Sequence, residues 1–179
     1  MRDNANDATG SWGDVIRWGL IAGLVGGIVM AMFMMIVTAL AGMGFLAPVY
    51  AIAATFHPSW AMTRGFDLAP LVVGLMLHMM NSAVFGLIFT LLARWLLPRA
   101  RSLPASAVAG MVWGLLLLAV NQAIVLPLVD TPMATATSGI FGWWLIGHLM
   151  YGGVLGMIAG ATLGRPASAP GRLAHAGRA

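Results

Sequence analysis

The chain has 179 residues, 60% of them hydrophobic and 8% charged, with a mean hydropathy of +0.92, whereas soluble domains carry roughly 25% charged residues. Its nine basic residues are all Arg and its five acidic residues all Asp, too few to hydrate a water-soluble body of this size, so lipid is expected to solvate most of it. The absence of cysteine excludes a disulfide framework, a thiolate metal site and a cysteine nucleophile.

Uncharged stretches run from Trp18 to Thr63, Leu68 to Ala93, Ser102 to Val129 and Thr131 to Gly164. Each exceeds the roughly 20 apolar residues that cross a bilayer. Trimming at Pro, Gly and polar clusters predicts helices near 15–43, 70–96, 104–127 and 139–163. Residues 1–14 read as an N-terminal tail, 15–97 as a first helical hairpin, 98–164 as a second, and 165–179 as a disordered tail. The apolar run from Trp18 to Thr38 is longer than the roughly 7 to 15 residues of a signal peptide, so the first helix is expected to be retained. Residues 44–69 read as a long outer loop, because Pro48, His57, Pro58, Ser59 and Trp60 interrupt the pattern. Its apolar run from Val49 to Phe56, with Tyr50, Phe56, Trp60 and Phe66, suits a segment at the membrane interface that serves as a lid, an anchor, a gate or a docking surface.

Arg2 and Arg17 precede the first helix, Arg94, Arg99 and Arg101 flank the second loop, and Arg165, Arg172 and Arg178 follow the fourth helix; Arg64 alone falls on the other side. The positive-inside rule then places both termini in the cytoplasm, as in a multi-pass protein of the bacterial inner membrane. Trp12, Trp18, Trp95, Trp143 and Trp144 fit interfacial anchors. The arginines act as topological anchors rather than as a nucleic-acid stripe.

The chain also repeats itself. His78 to Ile88 reads HMMNSAVFGLI and His148 to Ile158 reads HLMYGGVLGMI, with five of eleven positions identical. Ala22 to Gly27 (AGLVGG) echoes Ala109 to Gly114 (AGMVWG). A tandem duplication of a two-helix hairpin follows, giving an all-α, polytopic, pseudo-twofold four-helix protein with parallel rather than inverted repeats. Small residues at four-residue spacing mark a packing face on each helix. They are Gly19, Gly23, Gly27 and Ala31 on the first, Ser82, Gly86 and Thr90 on the second, Ser106, Gly110 and Gly114 on the third, and Gly152, Gly156, Gly160 and Gly164 on the fourth. This glycine-zipper pattern also admits self-association, as a homo-oligomer or within a larger membrane complex.

Continuing two of these stripes reaches His78 and His148, so both histidines are expected to face the bundle interior. They lie roughly 12 to 14 Å below the outer helix ends at 1.5 Å per residue. Asn81, Asn121, Gln122 and Tyr151 complete one polar layer. An ionisable residue inside a membrane is a functional-site hypothesis by default; the structural alternative is a pair of neutral imidazoles bonded across helices to Asn121, Gln122 or Tyr151. As a site, the pair suits haem b held by two axial histidines. Less well supported is copper, whose soft Cu(I) form is matched by Met30, Met32, Met34, Met35, Met79, Met80 and Met150. A proton or polar-solute path is the remaining reading. Ser82 lies within reach of His78, but no carboxylate accompanies them, so no catalytic set is assigned.

From Ala109 to Gly160, the pattern of Gly110 and Gly114, Pro127, Gly147-His148, Tyr151-Gly152 and Gly156 resembles small, uncharacterised four-helix membrane proteins of bacteria and archaea. The resemblance implies four spans and no particular activity. The expected function is therefore that of a non-enzymatic accessory or assembly subunit with a buried His78/His148 polar or cofactor site. The alternatives are a small channel or transporter, and a haem b-binding electron-transfer subunit.

Overall fold

A Ser-x-x-Asp capping box starts the first helix. The Ser11 hydroxyl accepts from the Asp14 backbone N–H at 3.1 Å, and the Asp14 carboxylate accepts from the Ser11 N–H at 3.2 Å. Two otherwise orphaned donors are thereby satisfied, and α1 (Trp12–Leu40) begins three residues earlier than hydropathy alone indicates. It ends at Leu40 rather than 43, because Gly42 and Gly44 take φ of 72° and 107°, a backbone that glycine adopts without steric cost. The computed structural model describes residues 11–96, 102–129 and 139–163. The tails, Arg2, Arg99, Arg101, Asp130, Gly164, Arg165, Arg172 and Arg178 lie outside the described residues.

The segment expected to be a loop carries structure of its own. It contains α2 (Ala47–Ala53), with Pro48 in its first turn, and a 3₁₀ turn over Pro58–Met62 that opens on Pro58. Proline lacks an N–H, and its fixed φ suits a helix start, so both prolines begin helical turns instead of ending them. Tyr50, expected at an interface, is only 2% exposed. Its hydroxyl donates to the carbonyls of Gly65 and Asp67 at 3.1 and 3.3 Å and accepts from the Asp67 N–H at 2.8 Å. Phe56 and Phe66 remain exposed, and His57 stacks on Trp60 at 5.3 Å.

The Asp67 carboxylate accepts from the Ala69 N–H at 3.0 Å at the start of α3 (Leu68–Leu96). Ser102 caps α4 (Leu103–Val120) through its bond from the Ala105 N–H at 3.4 Å. The chain then widens into a π turn over Asn121–Val125, closed by the Leu126 N–H on the Asn121 carbonyl, before α5 (Leu126–Val129). Pro127 accounts for the widening. It cannot donate to the Ala123 carbonyl, and its ring crowds that oxygen. The last helix is α6 (Phe141–Leu163). Among the described residues there is no strand.

Four helices are long and apolar enough to cross a membrane: Trp12–Leu40, Leu68–Trp95, Leu103–Leu128 and Phe141–Thr162. They pack in the order α3, α1, α6, α4, so α1 and α6 form the centre while α3 and α4 flank it with no close backbone seam between them. The α1–α3 seam is built from small residues. A Cβ on Gly19 would stand 3.1 Å from the Leu87 Cα, one on Gly23 would stand 3.0 Å from the Gly86 Cα, and one on Gly27 would stand 2.6 Å from the Ser82 Cβ. Across the α4–α6 seam, a Cβ on Gly110 would come within 2.8 Å of the Gly156 N, and one on Gly152 within 2.7 Å of the Gly110 carbonyl carbon. Gly114 abuts the His148 backbone, while Gly156 and Gly160 abut Ser106. The central α1–α6 contact uses Gly26 against Tyr151 and Gly147 against Met34 and Met30. Neither Gly26 nor Gly147 belongs to the four-residue stripes.

Outside these seams the surface is apolar. Ile28, Met76, Val108, Val112 and Leu116 are all more than half exposed. The end of the bundle where α1 starts, here the proximal end, carries charge and aromatic rings together. The Arg94 guanidinium lies 4.2 Å over Trp12, Arg17 lies 5.4 Å over Trp18, and Trp12 meets Trp95 at 6.3 Å. At the opposite, distal end, α2 docks on α3 because Gly74 has no side chain. A Cβ there would stand 2.9 Å from the Val49 carbonyl carbon.

Candidate functional site

Because α3 and α4 are both packed on the central pair and share no close backbone seam, a cavity of about 300 Å³ lies between them. The central helices supply its back through Met30, Trp144, His148 and Tyr151. Phe85 and Leu117 line its proximal part. One turn further, Phe89 and Trp113 meet at 6.2 Å and join α3 to α4. Ile52 and Thr55, from α2 and the residues after it, cover the distal part. The extra segment between α1 and α3 is thus part of the site, through residues that the sequence pattern did not single out.

His78, Asn81, Asn121, His148 and Tyr151 all line this cavity, and Gln122 does not. Both amides open the π turn over Asn121–Val125, and of the two it is Asn121 that faces the space. The amides are not the partners of the imidazoles. His78 Nε2 is 2.9 Å from the Gly27 carbonyl, which ties α3 to α1. His148 Nδ1 is 2.9 Å from the carbonyl of Trp144, four residues back on its own helix. Tyr151 donates to the Ser82 carbonyl at 2.8 Å, tying α6 to α3.

A carbonyl only accepts, so each bonded ring nitrogen is the protonated one in a neutral imidazole. What remains is a lone pair on Nδ1 of His78 and another on Nε2 of His148. The two histidines therefore present opposite ring nitrogens, although they occupy matching positions in the repeated sequence. Among the described residues, no hydrogen bond engages the Asn81 or Asn121 carboxamide. Trp144, expected at an interface, is 7% exposed, sits edge-on to His148 at 5.1 Å, and its Nε1 has no partner among the described residues. Packing against His148 and Met30 overrides the interfacial preference of its indole.

Several chemistries fit this arrangement poorly. The Ser82 hydroxyl donates to its own helix at the His78 carbonyl, at 2.7 Å, so it is not aligned on an imidazole for nucleophilic attack. Among the described residues, no charged side chain lines the cavity. Of the methionines considered for copper, Met30 lines it, while Met32 and Met80 are about half exposed. Among the described residues, no group of three or more His, Asp or Glu gathers to hold a metal ion. Axial ligation of a haem by His78 would use Nδ1, beside the substituted ring carbon, where the backbone crowds a porphyrin. Compared with protein-family models, curated proteins and solved structures, the chain finds no match.

Proposed function

We propose that the chain is an integral membrane protein whose four long helices span the bilayer, and that it acts as a non-enzymatic accessory subunit binding an uncharged small molecule between α3 and α4. The observation that carries this reading is the cavity itself. It brings two imidazoles, each with a free acceptor nitrogen, together with two unengaged carboxamides, inside a bundle whose outward surface is apolar. In water, an exterior of this kind is an association liability; in lipid it is the expected solvent-facing surface. The Trp12, Trp18 and Trp95 cluster with Arg17 and Arg94 fits a headgroup-level belt, and the excess of Arg on that side supports a proximal end and termini in the cytoplasm of a bacterial inner membrane.

Matched seams favour a tandem duplication. Gly23 meets Ser82 and Gly86 as Gly110 meets Gly152 and Gly156, and Gly27 meets His78 as Gly114 meets His148. These are the equivalent positions of the two sequence repeats. The channel reading is weaker, because the Phe89–Trp113 contact crosses the gap between α3 and α4 on the proximal side of the cavity. Haem b and copper remain less well matched than a neutral organic ligand, for the reasons of ring-nitrogen placement and methionine scatter. Its partners under this reading are bilayer lipid and other membrane subunits or further copies of itself.

Native extraction tests the proposal. Mass spectrometry of protein released from membranes is expected to find a small molecule that is lost in both His78→Ala and His148→Ala, with no Soret band after reduction. Release of the protein from membranes by alkaline carbonate, or the absence of any bound molecule from wild type, would overturn it.

A further inference from the structure

The polar groups of the cavity define the ligand more narrowly than size and hydropathy do. We infer that the site takes a neutral hydroxylated ring with an apolar tail, of the hydroquinone class, reaching it sideways from the lipid between α3 and α4. This rests on the membrane-binding reading above and adds the ligand's chemistry to it.

With no charged side chain on the lining among the described residues, a charged headgroup would lie in low dielectric without a counter-charge, which is unfavourable. The ligand is therefore uncharged. His78 Nδ1 and His148 Nε2 are acceptors that the backbone bonds of Gly27 and Trp144 keep in that state. A ligand must bring hydrogen-bond donors to satisfy them. The Asn81 and Asn121 carboxamides each donate and accept. A hydroxyl does both, so it can face an imidazole and a carboxamide at once, whereas a quinone carbonyl can only accept. Phe85, Trp144 and Tyr151 supply aromatic surface for a flat ring. Volume agrees. A cavity of about 150 Å³ takes benzene, so about 300 Å³ takes a substituted ring with the first part of a tail.

Access follows from the packing order. Because α3 and α4 share no close backbone seam and their Phe89–Trp113 contact lies proximal to the cavity, the tail can leave between them into hydrocarbon on the distal side of that contact while the ring stays under α2. Asn81 supports this path. It is exposed on α3 beside the cavity, and a carboxamide facing lipid alone would be left unsatisfied in a solvent that offers no partner. A ligand hydroxyl in the gap resolves that position.

The test is equilibrium binding to wild-type protein in lipid nanodiscs, held anaerobic, with a tritiated decyl-tailed hydroquinone and the matching quinone, and with empty nanodiscs subtracted. Saturable binding near one per chain is expected, with the hydroquinone about tenfold tighter than the quinone, since one unmet buried acceptor is worth about that factor. His148→Phe keeps a ring but removes the acceptor, and Asn81→Leu alters an exposed side chain. Each is expected to weaken hydroquinone binding about tenfold in protein that still melts cooperatively; quinone binding should stay within about threefold in His148→Phe, whose lost acceptor a quinone cannot use, and should fall in Asn81→Leu, whose carboxamide can donate to a quinone carbonyl. Equal affinity for the two forms, uptake no greater than in empty nanodiscs, or full binding in both folded variants would overturn the inference. If hydroquinone fails while another molecule co-extracts with wild type and is lost in the histidine variants, the ligand class is wrong and the binding site stands. If nothing co-extracts either, both readings fall.

Discussion

Gly110→Ala is the sharpest probe of how this bundle is held together. The added methyl would run into the Gly152 carbonyl oxygen and stand 2.8 Å from the Gly156 N and 2.9 Å from the Gly152 carbonyl carbon. All three are backbone atoms of α6, so no side-chain rotation relieves the clash. To reach ordinary contact with that oxygen, α4 and α6 must part by about 1 Å at this level, and a radial gap of that size forfeits about half of the dispersion well for the facing atoms. Overpacking of this kind costs about 1–3 kcal/mol. Against it stands the better helix propensity of Ala over Gly, worth up to about 1 kcal/mol. The net expectation is a loss of about 1–2 kcal/mol, or roughly five- to thirtyfold in the folding equilibrium. Gly142 provides the internal reference, because a Cβ there meets nothing within 4 Å; Gly142→Ala should be neutral or stabilising by a few tenths of a kcal/mol. Reversible unfolding in mixed micelles, followed by tryptophan fluorescence, measures both. If the two alanine variants were equally stable, the close α4–α6 seam would be refuted.

Three further expectations follow from individual contacts. Tyr151→Phe removes the 2.8 Å bond to the Ser82 carbonyl and should cost about 0.6 kcal/mol, and at most about 1.7, in the same unfolding assay; no loss would mean that the bond is not formed in the folded protein. Gly74→Ala should undock α2 through its clash with the Val49 backbone. Since the chain has no native cysteine, thiol labelling of an Ile52→Cys background should speed up severalfold, and an unchanged rate would count against docking. Under the proposed topology, Ser59→Cys should label in intact cells and Ser102→Cys only after permeabilisation, and the reverse pattern would invert the orientation.

The site was only partly legible in the residue pattern. His78, His148, Asn81, Asn121 and Tyr151 meet at one cavity because repeat position and helical phase are properties of neighbouring residues. Gln122, expected in the same layer, does not line the cavity; it lies in the π turn, whose sequence signal, Pro127, is five residues downstream. The partners of the imidazoles were not legible either. Backbone carbonyls have no sequence signature, so the bonds to Gly27 and Trp144 depend on how closely α1 approaches α3 and on a rotamer within α6.

From sequence alone came the number of long apolar helices and their approximate extents, because hydropathy over some twenty positions is local and survives in any arrangement of the helices. Tertiary structure decided the order α3, α1, α6, α4, the docking of α2 through Gly74, the burial of Tyr50 and Trp144, and the space between α3 and α4. Each of those depends on which surfaces meet. In a chain whose helices are apolar on every side, hydrophobicity does not choose among surfaces, and the choice falls to the close approach of backbones at small residues.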